Sequence, residues 1–587
     1  MGVALISWGR FINSAGSAIT VPAPSTTPGA PWLWDYLAGQ MGALRQVGYT
    51  AIQLPPVGKA QGGTADGCDG YGLFDPRDLG SKNQQGSVQT RYGSVASLRR
   101  LVACAHSAGL DVYLDVVLHQ LDGENGGTGV FQYLGADGAT LNGRGPMQPG
   151  CFRGVPPANC PPDAVPDLGD DYEFGREKVY QNCQPAGYTI SDALDYGDWL
   201  FRTTDADGMR MDDVKGIWAP FVSQFMGTAT MAEKFGYAEY FDGNAQTLNW
   251  WVTSPPMNSR SLVTDYTLHW ALQNACANGN AQALEGAGYA AINPYMACTF
   301  VDNPDTDTSP GEGILTAKLL AYAFMLTTEG YPFVYAKDYF PNTVWPGAYG
   351  LKPWIDNLIW IHEMLASGST LTRYLDGTVI VLNRLGGPGL LTALNFDTYN
   401  TRTITCMTAF GSNVQLHDYT GRHPDIWTDG SGNATFTIPP NAYQNGQSYL
   451  CFSVAGQGQG FAAAPRSTTQ VFYGAFDLDT PPAQNAPVAV GQIWSAQGGS
   501  INAMVTPDLT GVALQAGAEI TLSLADPTGT VVGTLLWTPQ NPPANGMLLI
   551  AALEGWYSLS IAGAALPAAG VPYQVSVTYT GTQTVPA

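Results

Sequence analysis

Eight short apolar and β-branched runs punctuate the first 360 positions of this 587-residue chain. They fall at residues 3–7 (VALIS), 50–54 (TAIQL), 111–117 (DVYLDVV), 208–212 (GMRMD), 235–239 (FGYAE), 261–265 (SLVTD), 298–302 (CTFVD) and 331–335 (YPFVY). Segments with helical periodicity, such as SVASLRRLVACAHSAG at 94–109, lie between most of them. Strand and helix alternating eight times predict an α/β fold, a (β/α)8 TIM barrel.

The third interval breaks the rhythm. Residues 119–190 are rich in Gly, Pro, Asn and Asp, and a structureless loop of that length does not suit a compact domain. The stretch reads as an inserted, loop-rich domain on the C-terminal face of the barrel, leaving 1–118 and 191–367 for the barrel itself. Beyond the helical pattern near 358–365 the texture turns to strands and turns, predicting an antiparallel β-domain over 368–456. Residues 457–470 (from GQGQGFAAAPRSTT) read as a linker, and 471–587 as a C-terminal β-sandwich. Trp494, Trp537 and Trp556 make that sandwich a candidate carbohydrate-binding module, although any one of them is more readily explained as core.

Charged residues are only 12% of the chain, about half the usual share. Gly, Pro and uncharged polar residues take their place, which suits an extracellular, loop-rich enzyme. The net charge of −22 repels nucleic acid and anionic lipid, so neither is an expected partner. The longest apolar runs, such as LLAYAFML at 319–326, are far short of the ~20 residues a membrane span needs. The opening MGVALISWGRF has neither a basic region nor a small-residue cleavage site, and is expected to begin a mature chain whose export signal is gone. Of nine cysteines, Cys151 and Cys160 flank a Pro-rich loop and could close a small disulfide ring, while Cys406 and Cys451 could staple two later strands. Sequence alone does not set the connectivity.

Function in such barrels gathers where strands end. Most of these ends carry carboxylates: Asp115, Asp212, Glu239, and Asp302 with Asp305. In GMRMDDVKG, Arg210 and Asp212 are two apart and share one face of a strand. Carboxylates converging on one cleft, with an arginine to hold one ionised, suit glycoside hydrolysis: one attacks the anomeric carbon and another protonates the leaving oxygen.

The motifs DVVLHQ (115–120), VPDLG (165–169), GMRMDDVKG (208–216), AEYFDG (238–243) and FVDNPD (300–305), in that order, resemble those of the α-amylase family of retaining glycoside hydrolases. The likeness extends through YGLFDPRDLG upstream and into the β-domain, covering residues 3 to about 456. The resemblance implies Asp212 as nucleophile, Glu239 as general acid/base and Asp305 as the third carboxylate. It implies substrate-binding roles for Arg210, Tyr71, Asp115, His119, Gln120 and Lys215. It also implies a structural calcium held by Asp167 and the Gly216 carbonyl.

Three positions depart from the family pattern. His119-Gln120 stands where Asn-His is usual, Pro304 stands for a histidine, and Lys215-Gly216 replaces Lys-His. His119 thus takes the place of an asparagine ligand, and calcium prefers oxygen donors. The implied activity is endo-acting hydrolysis of α-1,4 bonds in starch, other α-1,4-glucans and maltooligosaccharides by a secreted monomer. The alternatives are a transglycosylase or an exo-acting maltooligosaccharide-forming enzyme, and a starch-binding protein without catalysis.

Overall fold

Eight parallel strands close on themselves: β1 (Ala4–Ile6), β2 (Ala51–Gln53), β3 (Asp111–Val116), β4 (Gly208–Met211), β5 (Phe235–Ala238), β6 (Leu262–Thr264), β7 (Ala297–Phe300) and β8 (Tyr331–Tyr335), which pairs back onto β1. The computed structural model describes residues 2–9, 32–65, 68–124, 130–134, 147–152, 175–181, 183, 185–341, 347–442, 446–458, 461–476, 487–567 and 571–586. Each of the eight predicted runs supplies one barrel strand. The strands are followed in turn by α1 (Leu33–Gln46), α2 (Val95–Ala108), α3 (Tyr188–Thr204), α4 (Ala219–Met226), α5 (Ala245–Thr253), α6 (Tyr266–Asn278), α7 (Lys318–Thr327) and α8 (Lys352–Leu365).

Strands β2, β4 and β8 are buried at every position. Barrel side chains cover one face and helices the other, which is why these runs are continuously apolar rather than alternating. Local signals set the helix ends. At α2, Ser94 and Ser97 each accept the other's backbone N–H, and Gly109 takes the left-handed φ of 86° that turns the chain toward β3.

Between β3 and α3, Gln120–Leu121 pairs antiparallel with Arg176–Glu177. Phe131, Met147, Cys151, Phe152 and Val179 form a small core there with Leu73 and Phe74. After the barrel comes a six-stranded sheet whose central strands are Val379–Arg384, Leu390–Asn395 and Tyr449–Val454, faced by the pair Arg402–Met407 and Asn433–Ile438. Two four-stranded sheets then enclose a separate apolar core that includes Ile493, Ile520, Leu522, Trp537 and Val575.

Two expectations need correction. Residues 461–470, read as linker, belong to the long strand Phe461–Phe476, which pairs along its length with Val571–Pro586. Its small and polar composition hid a strand whose partner lies about a hundred positions away. Cys406 and Cys451 carry free thiols. Cys406 packs in the core of the β-domain, whereas Cys451, alternating with the core residues Leu450 and Phe452, turns to the opposite face against the barrel cluster. Trp494 and Trp556 are cross-strand partners at 5.1 Å, with the Arg100 guanidinium of α2 over Trp556, and Trp537 is buried in the sandwich core. These tryptophans fill contacts within the molecule.

The sandwich docks on α2 and on the rim where β3 and β4 begin. His106 bridges Gln470 (Nδ1, 2.6 Å) and Asp207 (Nε2, 2.8 Å), Asp205 accepts the Val471 N–H, and Arg99 Nη2 donates to the Tyr473 carbonyl. Ala103 of α2 sits in the sandwich core. The opposite rim, where the strands end, stays clear for the site.

Candidate active site

The C-terminal ends of the strands surround a pocket lined by Trp8, Gln53, Tyr71, Arg210, Glu239, Asn303, Pro304 and Asp305 among others. Arg210, on β4, is its electrostatic centre. Nη1 donates to both Asp115 oxygens (2.8 and 2.7 Å) and to Asp212 Oδ1 (2.8 Å), while Nη2 meets Glu239 Oε2 at 2.5 Å. One guanidinium therefore binds carboxylates from the ends of β3, β4 and β5. Parallel register places them together, because Asp115 pairs with Arg210 and Arg210 with Tyr237 across neighbouring strands.

Further contacts lock the cluster. Tyr71 donates its hydroxyl to Asp115 Oδ2 at 2.6 Å, and Gln53 Nε2 reaches the same oxygen at 3.2 Å. Tyr266, the first residue of α6, donates to Glu239 Oε1 at 2.6 Å and accepts from Asn303 Nδ2 at 3.1 Å. Asn303 Oδ1 accepts the backbone N–H of Asp305 at 2.9 Å, which fixes the turn carrying that carboxylate. Asp213 sits at a left-handed φ of 39° and its N–H points at Glu239 Oε2, 3.4 Å away; strained backbone of this kind collects at functional sites.

Three carboxylates around one cation, out of water, cannot all ionise freely. Burial pushes Asp212 well above the usual carboxylate range, with Arg210 opposing and Asp115 and Glu239 adding to the rise. Burial also raises Asp115, against Arg210 and Tyr71. For Glu239 burial acts upward too, but Arg210, Tyr266, the Asp213 N–H and a hydrogen bond from the Asp212 carboxyl outweigh it and hold Glu239 below its ordinary value.

The remaining expected residues divide. Lys215 Nζ donates to the Phe241 carbonyl (3.1 Å) and lies 3.3 Å from Asp242, at the edge of the cluster. Gln120 turns its amide to the Tyr71 carbonyl (3.4 Å) and to His119 (2.9 Å). His119 is buried 3.3 Å from Asp213 Oδ2 and 3.8 Å from Glu177. Its ring packs on Gly216 so closely that a Cβ there would lie 2.4 Å from Nε2. The two departures at 119 and 216 are thus one change: the imidazole occupies the space a side chain at 216 would need. Asp302, a strand-end carboxylate, is buried in an ion pair with Lys318 and accepts the Thr306 hydroxyl, so it supports the Asp305 turn from behind.

Calcium does not fit this donor set. An imidazole replaces an oxygen ligand and fills the junction against Gly216, and among the described residues no group of three or more His, Cys, Asp or Glu could hold a metal ion. Asp167, the other expected ligand, lies outside the described residues. Trp8, Gln53, Tyr266 and Asn303 were not singled out in the sequence. Each stands at or just after the end of a barrel strand, and that position was the available signal.

No protein-family model matches the chain. It is 29% identical over 404 residues to an alpha-amylase of Geobacillus stearothermophilus, covering 60% of this chain and 71% of that protein. It is 26% identical over 464 residues to a glucan 1,4-alpha-maltohexaosidase of Bacillus sp. (strain 707), covering 70% and 86%. A cytoplasmic alpha-amylase of Escherichia coli (strain K12) is 26% identical over 469 residues, 69% of this chain and 93% of that one. Over more than half of its length the chain is similar to α-amylases, and these relatives support the α-amylase family of glycoside hydrolases. The crystal structure of a Geobacillus thermoleovorans alpha-amylase, complexed with acarbose, shares the fold at a TM-score of 0.55 and 16% identity, over 78% of this chain and 98% of that one. In α-amylase terms, Arg210 and its three carboxylates occupy the end of the barrel at which this fold places its active sites.

Proposed function

We propose that this α-amylase-family enzyme hydrolyses internal α-1,4-glucosidic bonds of starch, related α-glucans and maltooligosaccharides with retention of configuration, acting as an extracellular monomer. The observation that carries the reading is the single guanidinium, Arg210, bound to Asp115, Asp212 and Glu239 in a pocket that Asp305 and Tyr71 also line.

In the free enzyme burial holds Asp212 above its ordinary value while Arg210 helps hold Glu239 below its own, so a proton shared by the two is held toward Asp212. A glucan entering the pocket comes between Arg210 Nη2 and Glu239. Without its cation the buried Glu239 takes up the shared proton and becomes the acid, while Asp212 stays ionised on Arg210 Nη1. Asp212 attacks the anomeric carbon as Glu239 protonates the leaving oxygen, and Asp305 steadies the oxocarbenium-like charge. Glu239 then takes a proton from water, which attacks the same carbon and releases Asp212. Tyr71 offers its ring face to the sugar.

Pro304 supplies no side-chain donor, and the Gln120 amide is committed to Tyr71 and His119. Missing contacts of this kind cost about 1–3 kcal/mol, or roughly 10- to 150-fold in rate, which weakens catalysis without abolishing it. Calcium enters no step.

The test is reducing-sugar release and viscosity loss on soluble starch, for wild type beside Asp212→Asn and Glu239→Gln. Early loss of viscosity, with both variants down at least ~10³-fold, supports the reading. A wild type that binds starch without cleaving it would overturn it. The maltohexaosidase relative favours a second reading, exo-acting release of one oligosaccharide. Under that reading one product dominates from the first minutes and viscosity falls late.

A further inference from the structure

Away from the cleft, Cys151 and Cys183 are both buried in the small core beside the barrel, with their sulfurs 3.9 Å apart in a shared hydrogen bond. Their chain segments already run side by side. The Val179 N–H donates to the Cys151 carbonyl at 2.8 Å, and Phe152 and Lys178 form an antiparallel bridge. Cys183 lies just before α3, so a bond there would tie the segment around Cys151 to a barrel helix.

We propose that Cys151 and Cys183 are a disulfide site, closed by exchange with a small disulfide such as oxidised glutathione, which staples the inserted segment to the start of α3. Rotation about the Cα–Cβ bonds closes the gap from contact to the about 2 Å of an S–S bond. This pairing takes the place of the Cys151–Cys160 ring expected from sequence; Cys160 lies outside the described residues.

The two sulfurs differ in reactivity. The hydrogen bond with Cys151 and, against the effect of burial, the Thr189 hydroxyl and the N–H groups of Thr189 and Tyr188 at the first turn of α3 bring the Cys183 thiol down to about 6. The Cys151 thiol is pushed up by the same shared hydrogen bond and by burial. Cys183 is therefore the attacking thiolate at neutral pH. It attacks one sulfur of oxidised glutathione, that S–S bond breaks, and one glutathione thiolate leaves. Cys151 then gives its proton to solvent and attacks the Cys183 sulfur of the mixed disulfide, expelling the second glutathione thiolate. The cysteines lose two electrons and the glutathione disulfide gains them.

The experiment incubates the purified full-length protein across a series of oxidised-to-reduced glutathione ratios, just below its melting onset so that the core opens transiently. Free thiols are alkylated and peptides mapped without reduction. A Cys151–Cys183 peptide at the oxidising end, retained in Cys160→Ser and lost in Cys183→Ser, is the expected result. A Cys151–Cys160 peptide, or alkylation of both Cys151 and Cys183 at the oxidising end, overturns the proposal. Wild type and Cys160→Ser should each melt roughly 5 °C lower when fully reduced; equal melting temperatures in the two redox states would remove the staple from the account.

Discussion

The Tyr266 hydroxyl donates a hydrogen bond to Glu239 Oε1 across 2.6 Å. Because it donates, it favours the ionised carboxylate and lowers the Glu239 pKa. Tyr266→Phe should therefore raise that pKa, moving the alkaline limb of the kcat/KM profile to higher pH, since the protonated acid then survives further up the scale. Turnover at neutral pH should fall roughly tenfold through lost orientation. A variant with reduced turnover and an unmoved alkaline limb would leave Tyr266 as packing only.

Arg210 is the shared cation partner of Asp115, Asp212 and Glu239. Arg210→Ala should cut activity at least ~10³-fold and destabilise by about 3–5 kcal/mol at neutral pH. Without the cation all three carboxylates would be raised, Asp115 and Asp212 further above their unfolded values and Glu239 from below its own. Their stabilising contribution is then present in acid and is lost as pH rises through the folded pKa. Thermal melts at pH 5 and pH 8 check the sign: the gap from wild type should be small at the lower pH and wide at the higher.

His106 holds the sandwich to the barrel through Gln470 and Asp207. Burial opposes its charge, but Asp207, with help from Asp205 and Gln470, raises its pKa to about 9. A raised histidine contributes stability that is complete below its unfolded value of 6.5 and is lost as pH climbs through about 9. Wild type should lose melting temperature between pH 7 and pH 9.5 more steeply than His106→Gln. Parallel curves would assign the docking to apolar contact alone.

Lys318 is buried against Asp302 and Asp338. Lys318→Met should leave two carboxylates without their cation, costing about 3–5 kcal/mol. Through Asp302 it should also loosen the Asp305 turn, so that KM rises along with the loss of stability. Urea unfolding beside steady-state kinetics measures both.

The imidazole of His119, lodged among Asp213, Glu177 and Gly216, does not suit calcium. Treatment with a chelator such as EDTA should leave the melting temperature within about 1 °C and the activity unchanged. A fall of several degrees, restored by calcium, would show that an oxygen shell forms there after all.

Much of this was legible in the chain itself. Continuous apolar runs announced all eight barrel strands, because parallel strands covered on both faces need no alternation. Strand ends also marked the carboxylates, and a two-residue spacing put Arg210 and Asp212 on one face. Phe461–Phe476 escaped notice because its partner, Val571–Pro586, is remote in sequence, and pairing of that kind has no local signature. Cys406 and Cys451 lie on facing sheets of one β-domain, yet strand alternation turns Cys451 away from the shared core and toward the barrel.

By itself, then, the sequence marked the eight barrel strands and set carboxylates and an arginine at their ends, all properties of spacing and residue type. Only the tertiary structure decided how those groups meet: that one guanidinium serves three carboxylates, that Tyr266 of α6 reaches Glu239 while Asn303, in the turn after β7, braces Tyr266, and that His119 and Gly216 share one space. Each of these contacts joins residues from different strands, helices or turns of the barrel, and their distances exist only once the barrel has closed.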